Sequence, residues 1–320
     1  MKPFATSLTI ALAACTALVM LLPHCADAAP SGLTPLGGRP TFWIGPSRHG
    51  TSWMARTAMH NTLLYVSDAL SNDVNVYSYP QDQLVGILTG FNSPDGLCVD
   101  AKNDVFIANY RAATILEYAH GGTAPIATLN DPSGFPEGCS IDYTTGNLAV
   151  TNYVVGSGKS NVLVYPAASG TPTEYTDSNV WQFRYCGYDN QGNLFVDGLS
   201  GTTFALDELA SGSSTLAPIS LNQSMGNPGA VQWDGRFLAI GSGNNSLYRF
   251  SISNSKGYVV GQVPLNGAQE VEQFRVQGNR LIAPDFGAGT VWIYPYPAGG
   301  GPLRSITGLK RPSGAVVSKG

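Results

Sequence analysis

A repeat of about 43 residues runs through most of the chain and constrains its fold more than any other feature. The full pattern is a Pro-x-Gly start, a short apolar strand, a Gly/Asn turn, a second strand, a polar loop and a third strand, and copies four to six lack a clean Pro-x-Gly. The clearest copy runs from Pro136 to Tyr165. The third strands end at six positions that lie 41 to 47 residues apart: Tyr77, Tyr118, Tyr165, Asp207, Phe250 and Tyr294.

The repeat predicts an all-β fold for residues 61–320. Three or four strands in about 43 residues is the size of one propeller blade, and this stretch holds six copies. Parallel βαβ units would need a helix in every copy, and no stretch with helical periodicity is present. Only 12% of the residues are charged, against a typical ~25%, which suits strands buried between neighbouring sheets. We therefore predict a six-bladed β-propeller that forms one domain.

The first copy lacks its opening strand, because Leu63–Asp68 already has the pattern of a second strand. The missing pattern recurs at the C-terminus as Pro312–Val317. We predict that this last strand completes the first blade and closes the ring, which removes the open sheet edges.

The N-terminus has the pattern of an export signal. Lys2 precedes an apolar run from Phe4 to Leu22, and small residues follow at 26–29. We predict a signal peptide over residues 1–28 and an irregular Gly/Pro-rich arm over 29–60. Two alternatives remain: lipid attachment at Cys15 in a lipobox-like Leu-Ala-Ala-Cys, and an uncleaved anchor. The predicted location is secreted, periplasmic or cell-envelope, with no membrane contact after cleavage.

Composition excludes several functional classes. A net charge of −4 without a basic stripe argues against nucleic-acid binding, and 43% hydrophobic residues exclude disorder. The G-x-S-x-G, H-E-x-x-H and C-x-x-C motifs are absent. No catalytic residue can be named. The sequence favours a monomeric binding or scaffold module over an enzyme, with an unknown protein, a small molecule or a glycan as ligand.

The variable residue of each Pro-x-Gly points to a candidate site. It lies at the start of the innermost strand, so all six copies of this residue should surround one mouth of the central channel. The aligned residues are Ser313, Asp95, Glu137, Arg184, Pro228 and Glu272. Four are charged and are our channel-mouth candidates: Asp95, Glu137, Arg184 and Glu272. The acids are either solvated turn residues, partners of Arg184 or metal ligands.

The third option depends on a resemblance. The repeat resembles the NHL type, and Ser93–Asp100 is similar to a blade of the gluconolactonase and senescence-marker-protein group. The resemblance covers about 260 residues and implies a divalent cation held at the channel mouth by carboxylate and amide oxygens. Asp95 matches the Pro-Asp-Gly of that pattern, and Glu137 and Glu272 could supply further oxygens to Ca²⁺ or another divalent cation. The group's Asn ligand has no match here.

This resemblance supplies the alternative function, a divalent-metal-dependent lactone or ester hydrolase. A glycan-binding protein is a further alternative, based on the recurring aromatic residues.

Three cysteines remain after the predicted cleavage. Cys98 and Cys139 occupy equivalent strands of consecutive blades but differ by one position, so their side chains point to opposite faces. Opposite faces of consecutive blades can meet, which favours a Cys98–Cys139 disulfide and leaves Cys186 buried and free.

Asp and Asn residues follow four of the second strands. We predict that their side chains accept backbone N–H groups and set the turns. These residues are Asp68, Asn109, Asn152 and Asp285.

Overall fold

The computed structural model of this chain describes residues 50–153, 160–243 and 245–320. Within these ranges the chain is all-β, with six antiparallel blades arranged as a β-propeller, as predicted. The predicted signal peptide and residues 29–49 of the predicted arm lie outside the described residues. None of the helices in the described ranges has the length and apolar character that crossing a bilayer requires.

The first three blades follow the chain in order. Blade 1 contains β1 (Trp53–Met54), β2 (Leu63–Asp68), β3 (Asp73–Ser78) and β4 (Leu84–Leu88). Blade 2 contains β5 (Pro94–Val99), β6 (Val105–Asn109), β7 (Thr114–Tyr118) and β8 (Ala127–Asn130). Blade 3 contains β9 (Pro136–Ile141), β10 (Leu148–Asn152), β11 (Asn161–Tyr165) and β12 (Thr173–Tyr175).

The last three blades repeat this plan. Blade 4 contains β13 (Gln182–Tyr188), β14 (Leu194–Ser200), β15 (Thr203–Leu209) and β16 (Ala217–Pro218). Blade 5 contains β17 (Ser220–Leu221), β18 (Val231–Trp233), β19 (Leu238–Gly241), β20 (Ser246–Ser253) and β21 (Lys256–Pro264). Blade 6 contains β22 (Arg275–Gln277), β23 (Arg280–Asp285), β24 (Thr290–Pro295) and β25 (Arg304–Ile306). Short 3₁₀ turns occupy Ala58–His60, Tyr110–Ala112 and Pro166–Ala168.

The C-terminal strand closes the ring. The last strand, β26 (Pro312–Ser318), pairs antiparallel with β2, and it is the innermost strand of blade 1. Leu63 lies opposite Ser318 and Val66 opposite Ala315. This pairing confirms the predicted closure, because the first and last repeats share one sheet.

Two blades carry a fifth, outer strand that the repeat pattern does not contain. In blade 1, β1 pairs antiparallel with β4, which places Trp53 opposite Ile87. Residues 53–54 belong to the segment predicted as an irregular arm, and here they cover an outer sheet edge. In blade 5, β17 pairs parallel with β21. An uncovered outer strand leaves a row of unpaired N–H and C=O groups, and the extra strands satisfy part of it.

The core lies between blades. The buried apolar side chains of the described residues form six clusters, and each cluster joins two neighbouring blades. Tyr65 of blade 1 shares a cluster with Tyr118 of blade 2, and Val66 shares another with Ile282 of blade 6. Since successive strand residues face opposite sides, each sheet packs on both neighbours. This arrangement explains the low charge of the chain.

Blade 4 departs from this pattern in its third strand. The prediction that this strand ends at Asp207 is wrong, because β15 runs to Leu209, which lies opposite Leu194 where the other blades place an aromatic residue. Asp207 lies two residues earlier and is only 2% exposed. Its Oδ2 has no hydrogen-bond partner among the described residues. Burial, with a smaller contribution from the charge of Asp177, raises the pKa of Asp207 to about 7.

We predict that Asp207 makes the fold less stable as the pH rises. An acid whose pKa is raised by folding loses stability between its unfolded pKa, near 4, and its folded pKa, near 7. Replacing Asp207 with Asn should therefore raise the melting temperature by several degrees at pH 8.5 and change it little at pH 4. Thermal unfolding of both proteins across this range measures the difference. An equal rise in melting temperature at both pH values would contradict the prediction.

Candidate functional site

The predicted mouth residues lie where the innermost strands begin. We define the mouth face as the face of the ring that carries Ser313, Asp95, Glu137, Arg184, Pro228 and Glu272. A recurring contact places these residues in register around the channel. A Cβ added to Gly138 would lie 3.1 Å from the Arg184 carbonyl oxygen, and one added to Gly229 would lie 3.2 Å from that of Glu272. Such close approach of neighbouring strands favours glycine at these positions.

Arg184 joins two of the predicted acids. Its Nη2 lies 3.1 Å from Oε1 of Glu137 and 3.5 Å from Oε1 of Glu272, so it links blade 4 to blades 3 and 6. The side chains are 12%, 0% and 17% exposed, respectively, so water screens these ion pairs weakly. The guanidinium carbon also lies 4.7 Å from the centre of the Tyr153 ring. Arg184 is therefore held by charge and by an aromatic face together.

Asp95 and Ser313 lie in a second group of contacts. Gln273 Nε2 donates a 2.8 Å hydrogen bond to Oδ1 of the fully buried Asp95. The Ser313 hydroxyl donates to the Pro94 carbonyl and lies 3.1 Å from the Ser67 hydroxyl. Pro228 contributes no polar side-chain atom to the mouth. The channel mouth is therefore filled by ion-paired and hydrogen-bonded side chains.

These residues fit a divalent cation poorly. A calcium ion binds carboxylate oxygens at about 2.4 Å, and here two of the candidate carboxylates already face the Arg184 guanidinium. A divalent cation about 4 Å from a guanidinium would be repelled by about 8 kcal/mol at an effective dielectric constant of about 20. Asp95 is engaged with Gln273 instead. Two of the three predicted ligands are therefore ion-paired with Arg184, and the third is hydrogen-bonded to Gln273.

A different acidic cluster lies on blade 2. Asp100, Asp104 and Glu117 offer carboxylate oxygens within 4.8 Å of one another. Burial raises the pKa of Asp104 and of Glu117, and the neighbouring carboxylates raise both further. Asp100 Oδ1 accepts the backbone N–H groups of Lys102 and Asp104, which is the ordinary role of an Asp in a tight turn.

No family model matches the chain, and no curated protein matches its sequence. Its fold is shared by solved structures. A chain in the crystal structure of a nidogen/laminin complex has a TM-score of 0.67 at 14% identity, over 81% of this chain and 98% of that one. A protein of unknown function from Bacteroides caccae has a TM-score of 0.63 at 14% identity, over 81% and 100%.

The hydrazine synthase of Kuenenia stuttgartiensis has a TM-score of 0.59 at 16% identity, over 74% of this chain and 81% of that one. These likenesses support the six-bladed propeller and, at such identities, the fold alone. The resemblance to NHL repeats and to the gluconolactonase group stays a prediction.

Sequence reasoning missed the residues that connect neighbouring innermost strands. Thr151 Oγ1 accepts the Gly138 N–H of its own blade and donates 2.7 Å to the Arg184 carbonyl of the next. Ser67 makes the equivalent pair of bonds, accepting from Gly314 N–H and donating to the Asp95 carbonyl. Both residues directly precede a strand-end Asp or Asn. A hydroxyl residue at that position was the signal available in the sequence.

Asp197 connects innermost strands in a different way in blade 4. Its two carboxyl oxygens accept the backbone N–H groups of Tyr185, at 2.9 Å, and Gly229, at 3.0 Å. Asp197 is fully buried, and this burial raises its pKa well above the ordinary value despite both bonds. The connection ties blade 4 to blade 5 directly beside Arg184, so it helps to fix the strand that carries this arginine.

The predicted turn residues accept backbone N–H groups, as expected. Asp68 accepts from Lys310 and Arg311, just before β26. Each of the others fixes the segment that enters the innermost strand of its own blade: Asn109 accepts from Asn92, Asn152 from Phe135, and Asp285 from Gln269 and Glu270. These bonds position the loops of the mouth face.

The cysteines are arranged next to the channel. The sulfur atoms of Cys98 and Cys139 are joined in a disulfide between blades 2 and 3, with a Cα–Cα distance of 5.7 Å. Cys186 is free and buried, and burial raises the pKa of its thiol. A thiol of this kind is a poor nucleophile, so Cys186 is a packing residue.

The mouth face also exposes large apolar side chains. Phe135 and Trp181 directly precede the innermost strands of blades 3 and 4, and they are 39% and 40% exposed. Leu70, which is 39% exposed, lies in the β2–β3 turn that Asp68 ties to the start of β26. The Tyr110 ring packs against Phe135 at 5.4 Å between centroids. Apolar groups therefore accompany the charged network on one face of the ring.

Proposed function

We propose that this chain is an exported, non-catalytic binding module that holds a protein partner on its mouth face. The observation that carries the proposal is the exposure of Phe135, Trp181 and Leu70 around the Arg184 network. Aromatic residues dominate the binding energy of many protein interfaces, and large apolar side chains exposed on one face are typical of an interaction surface.

The charge arrangement at the mouth supports binding over hydrolysis. A metal-dependent hydrolase needs carboxylates that hold a cation, whereas Glu137 and Glu272 share an ion pair with Arg184 in this protein. The lactone or ester hydrolase, which the gluconolactonase resemblance suggests, is therefore our second candidate. The propeller in the nidogen/laminin complex is an example of this fold within a protein–protein complex.

We propose export through the N-terminal segment, with the mature protein outside the cytoplasm. The pattern of residues 1–28 and the Cys98–Cys139 disulfide both support it, since disulfides persist in oxidising compartments. Lipid attachment at Cys15 would retain the same compartment and add an anchor.

Cross-linking in the cells that make this protein tests the proposal. The tagged full chain, cross-linked at the cell surface, is expected to retain a specific protein that mass spectrometry identifies. The variant Phe135→Ser/Trp181→Ser should lower its recovery at least about tenfold, because truncating two interface aromatics costs several kcal/mol.

Ile126→Ser/Leu303→Ser is the matched control, because these residues are 57% and 51% exposed on the outer edges of the blades. Full recovery is expected with this control. Equal recovery with both variants, or binding to a glycan array in place of a protein, would contradict the proposal.

A further inference from the structure

A cavity of about 280 Å³ occupies the central channel beyond the mouth network. The innermost strands of all six blades line it, through residues that follow the mouth positions along each strand. Tyr143, which is 58% exposed, lies at its rim, just after the end of β9. The cavity therefore lies toward the far face, which we define by Tyr143, Trp233 and Arg236. Ligand pockets of this size hold small molecules.

Arg275 supplies the one charged side chain among the lining residues of this cavity. It belongs to β22, the innermost strand of blade 6. Its Nε is buried and has no hydrogen-bond acceptor among the described residues. None of the ion pairs in the described part of the chain involves Arg275, whereas Arg249 binds Asp234 through its own Nε at 2.7 Å. Arg275 therefore presents positive charge and an unused N–H donor to the channel.

Trp233 presents a second unused donor to the same cavity. It ends β18 in the neighbouring blade 5, and its indole Nε1 is buried without an acceptor among the described residues. A buried donor left without an acceptor costs about 1–3 kcal/mol, and native proteins rarely leave one so. Two such donors on one cavity wall are placed to bind an acceptor that comes from outside the chain.

Two other polar side chains of this cavity, Gln232 and Tyr143, are hydrogen-bonded within the chain. Gln232 Nε2 donates to the Val276 carbonyl, and its Oε1 accepts the Val276 N–H at 2.8 Å. The Tyr143 hydroxyl donates to the Val99 carbonyl at 2.9 Å. The cavity therefore offers positive charge and N–H donors, and its only charged lining residue is a single arginine.

We propose that the central cavity binds a small monocarboxylate, held by the Arg275 guanidinium and the Trp233 indole N–H. A carboxylate accepts paired N–H groups from a guanidinium in one plane and has lone pairs left for the indole. One negative charge balances Arg275, whereas a phosphate dianion would leave buried charge without compensation. This ligand site lies apart from the mouth face and does not depend on the protein partner proposed above.

Titration of the full chain with sodium propionate tests the site, with propionamide as the neutral analogue. We expect saturable propionate binding that shifts the ¹⁵N-indole resonance of Trp233, which Trp233→Phe identifies by its loss. Arg275→Gln should weaken propionate binding at least about tenfold, and Trp233→Phe by about threefold or more. Propionamide and inorganic phosphate should bind more weakly than propionate.

Arg236→Gln is the matched control, because it removes the same charge from an exposed turn of the far face, outside the cavity lining. We expect this variant to bind propionate within about twofold of the unaltered chain.

A channel that holds water alone would show no saturable propionate binding below about 10 mM. That result would overturn the proposal. Equal weakening by Arg236→Gln and Arg275→Gln, or phosphate binding tighter than propionate binding, would also overturn it. The indole shift in the unaltered chain does not depend on whether the variants fold.

Discussion

Replacing Arg184 with methionine is expected to lower the free energy of unfolding by about 3–5 kcal/mol at neutral pH. The substitution keeps much of the side-chain volume but removes the positive charge 3.1 Å from Glu137, which is fully buried. A buried carboxylate that loses its cation becomes protonated or takes up water at the cost of packing. Denaturant unfolding of both proteins measures the loss.

The loss of unfolding free energy should be smaller when Glu137 is changed together with Arg184. The double variant Arg184→Met/Glu137→Gln removes both charges, and we expect it to recover at least about 1.5 kcal/mol of the single-variant loss. Arg236→Met is a suitable control, because this arginine is exposed and has no ion pair in the described part of the chain. A loss below about 1 kcal/mol for Arg184→Met would show that the network does not stabilise the ring.

Breaking the Cys98–Cys139 disulfide is expected to cost about 4 kcal/mol. The two cysteines are 41 residues apart, and a cross-link of that span removes this much chain entropy from the unfolded state. The variant Cys98→Ala/Cys139→Ala should melt well below the unaltered protein, and dithiothreitol should lower the melting temperature of the unaltered protein but not that of this double variant.

Cys186→Ala serves as the control for that experiment. Cys186 is buried and free, so its replacement costs packing but leaves the response to dithiothreitol unchanged. A melting temperature of the unaltered protein that dithiothreitol does not change would contradict a stabilising disulfide.

The fold was predictable because its determinants are periodic. The third-strand ends recur every ~43 residues, and the strand missing before Leu63 recurs at Pro312–Val317, so one pattern predicted the blades and the closure. The outer strands at Trp53–Met54 and Ser220–Leu221 were not predictable in this way. Each has two residues, and its pairing depends on an exposed sheet edge elsewhere in the chain.

The positions of the candidate site residues were predictable from the sequence, but the ion pairs and hydrogen bonds between their side chains were not. Alignment of the Pro-x-Gly segments brought Glu137, Arg184 and Glu272 to one mouth, and it left metal binding and ion pairing both open. Which oxygen faces which cation depends on side-chain geometry across the channel. The unused donors of Trp233 and Arg275 had no sequence signal, since only their burial beside a cavity distinguishes them.

The melting temperature with and without divalent cations tests the central claim most directly, namely that the mouth is a binding surface whose acids Glu137 and Glu272 pair with Arg184 and hold no metal. We predict that about 5 mM Ca²⁺, Mg²⁺, Mn²⁺ or Zn²⁺ shifts the melting temperature by less than about 1 °C, because a cation that does not bind the folded state cannot stabilise it. A rise of several degrees that Asp95→Ala abolishes, accompanied by cation-dependent turnover of a lactone, would contradict the account and establish the hydrolase instead.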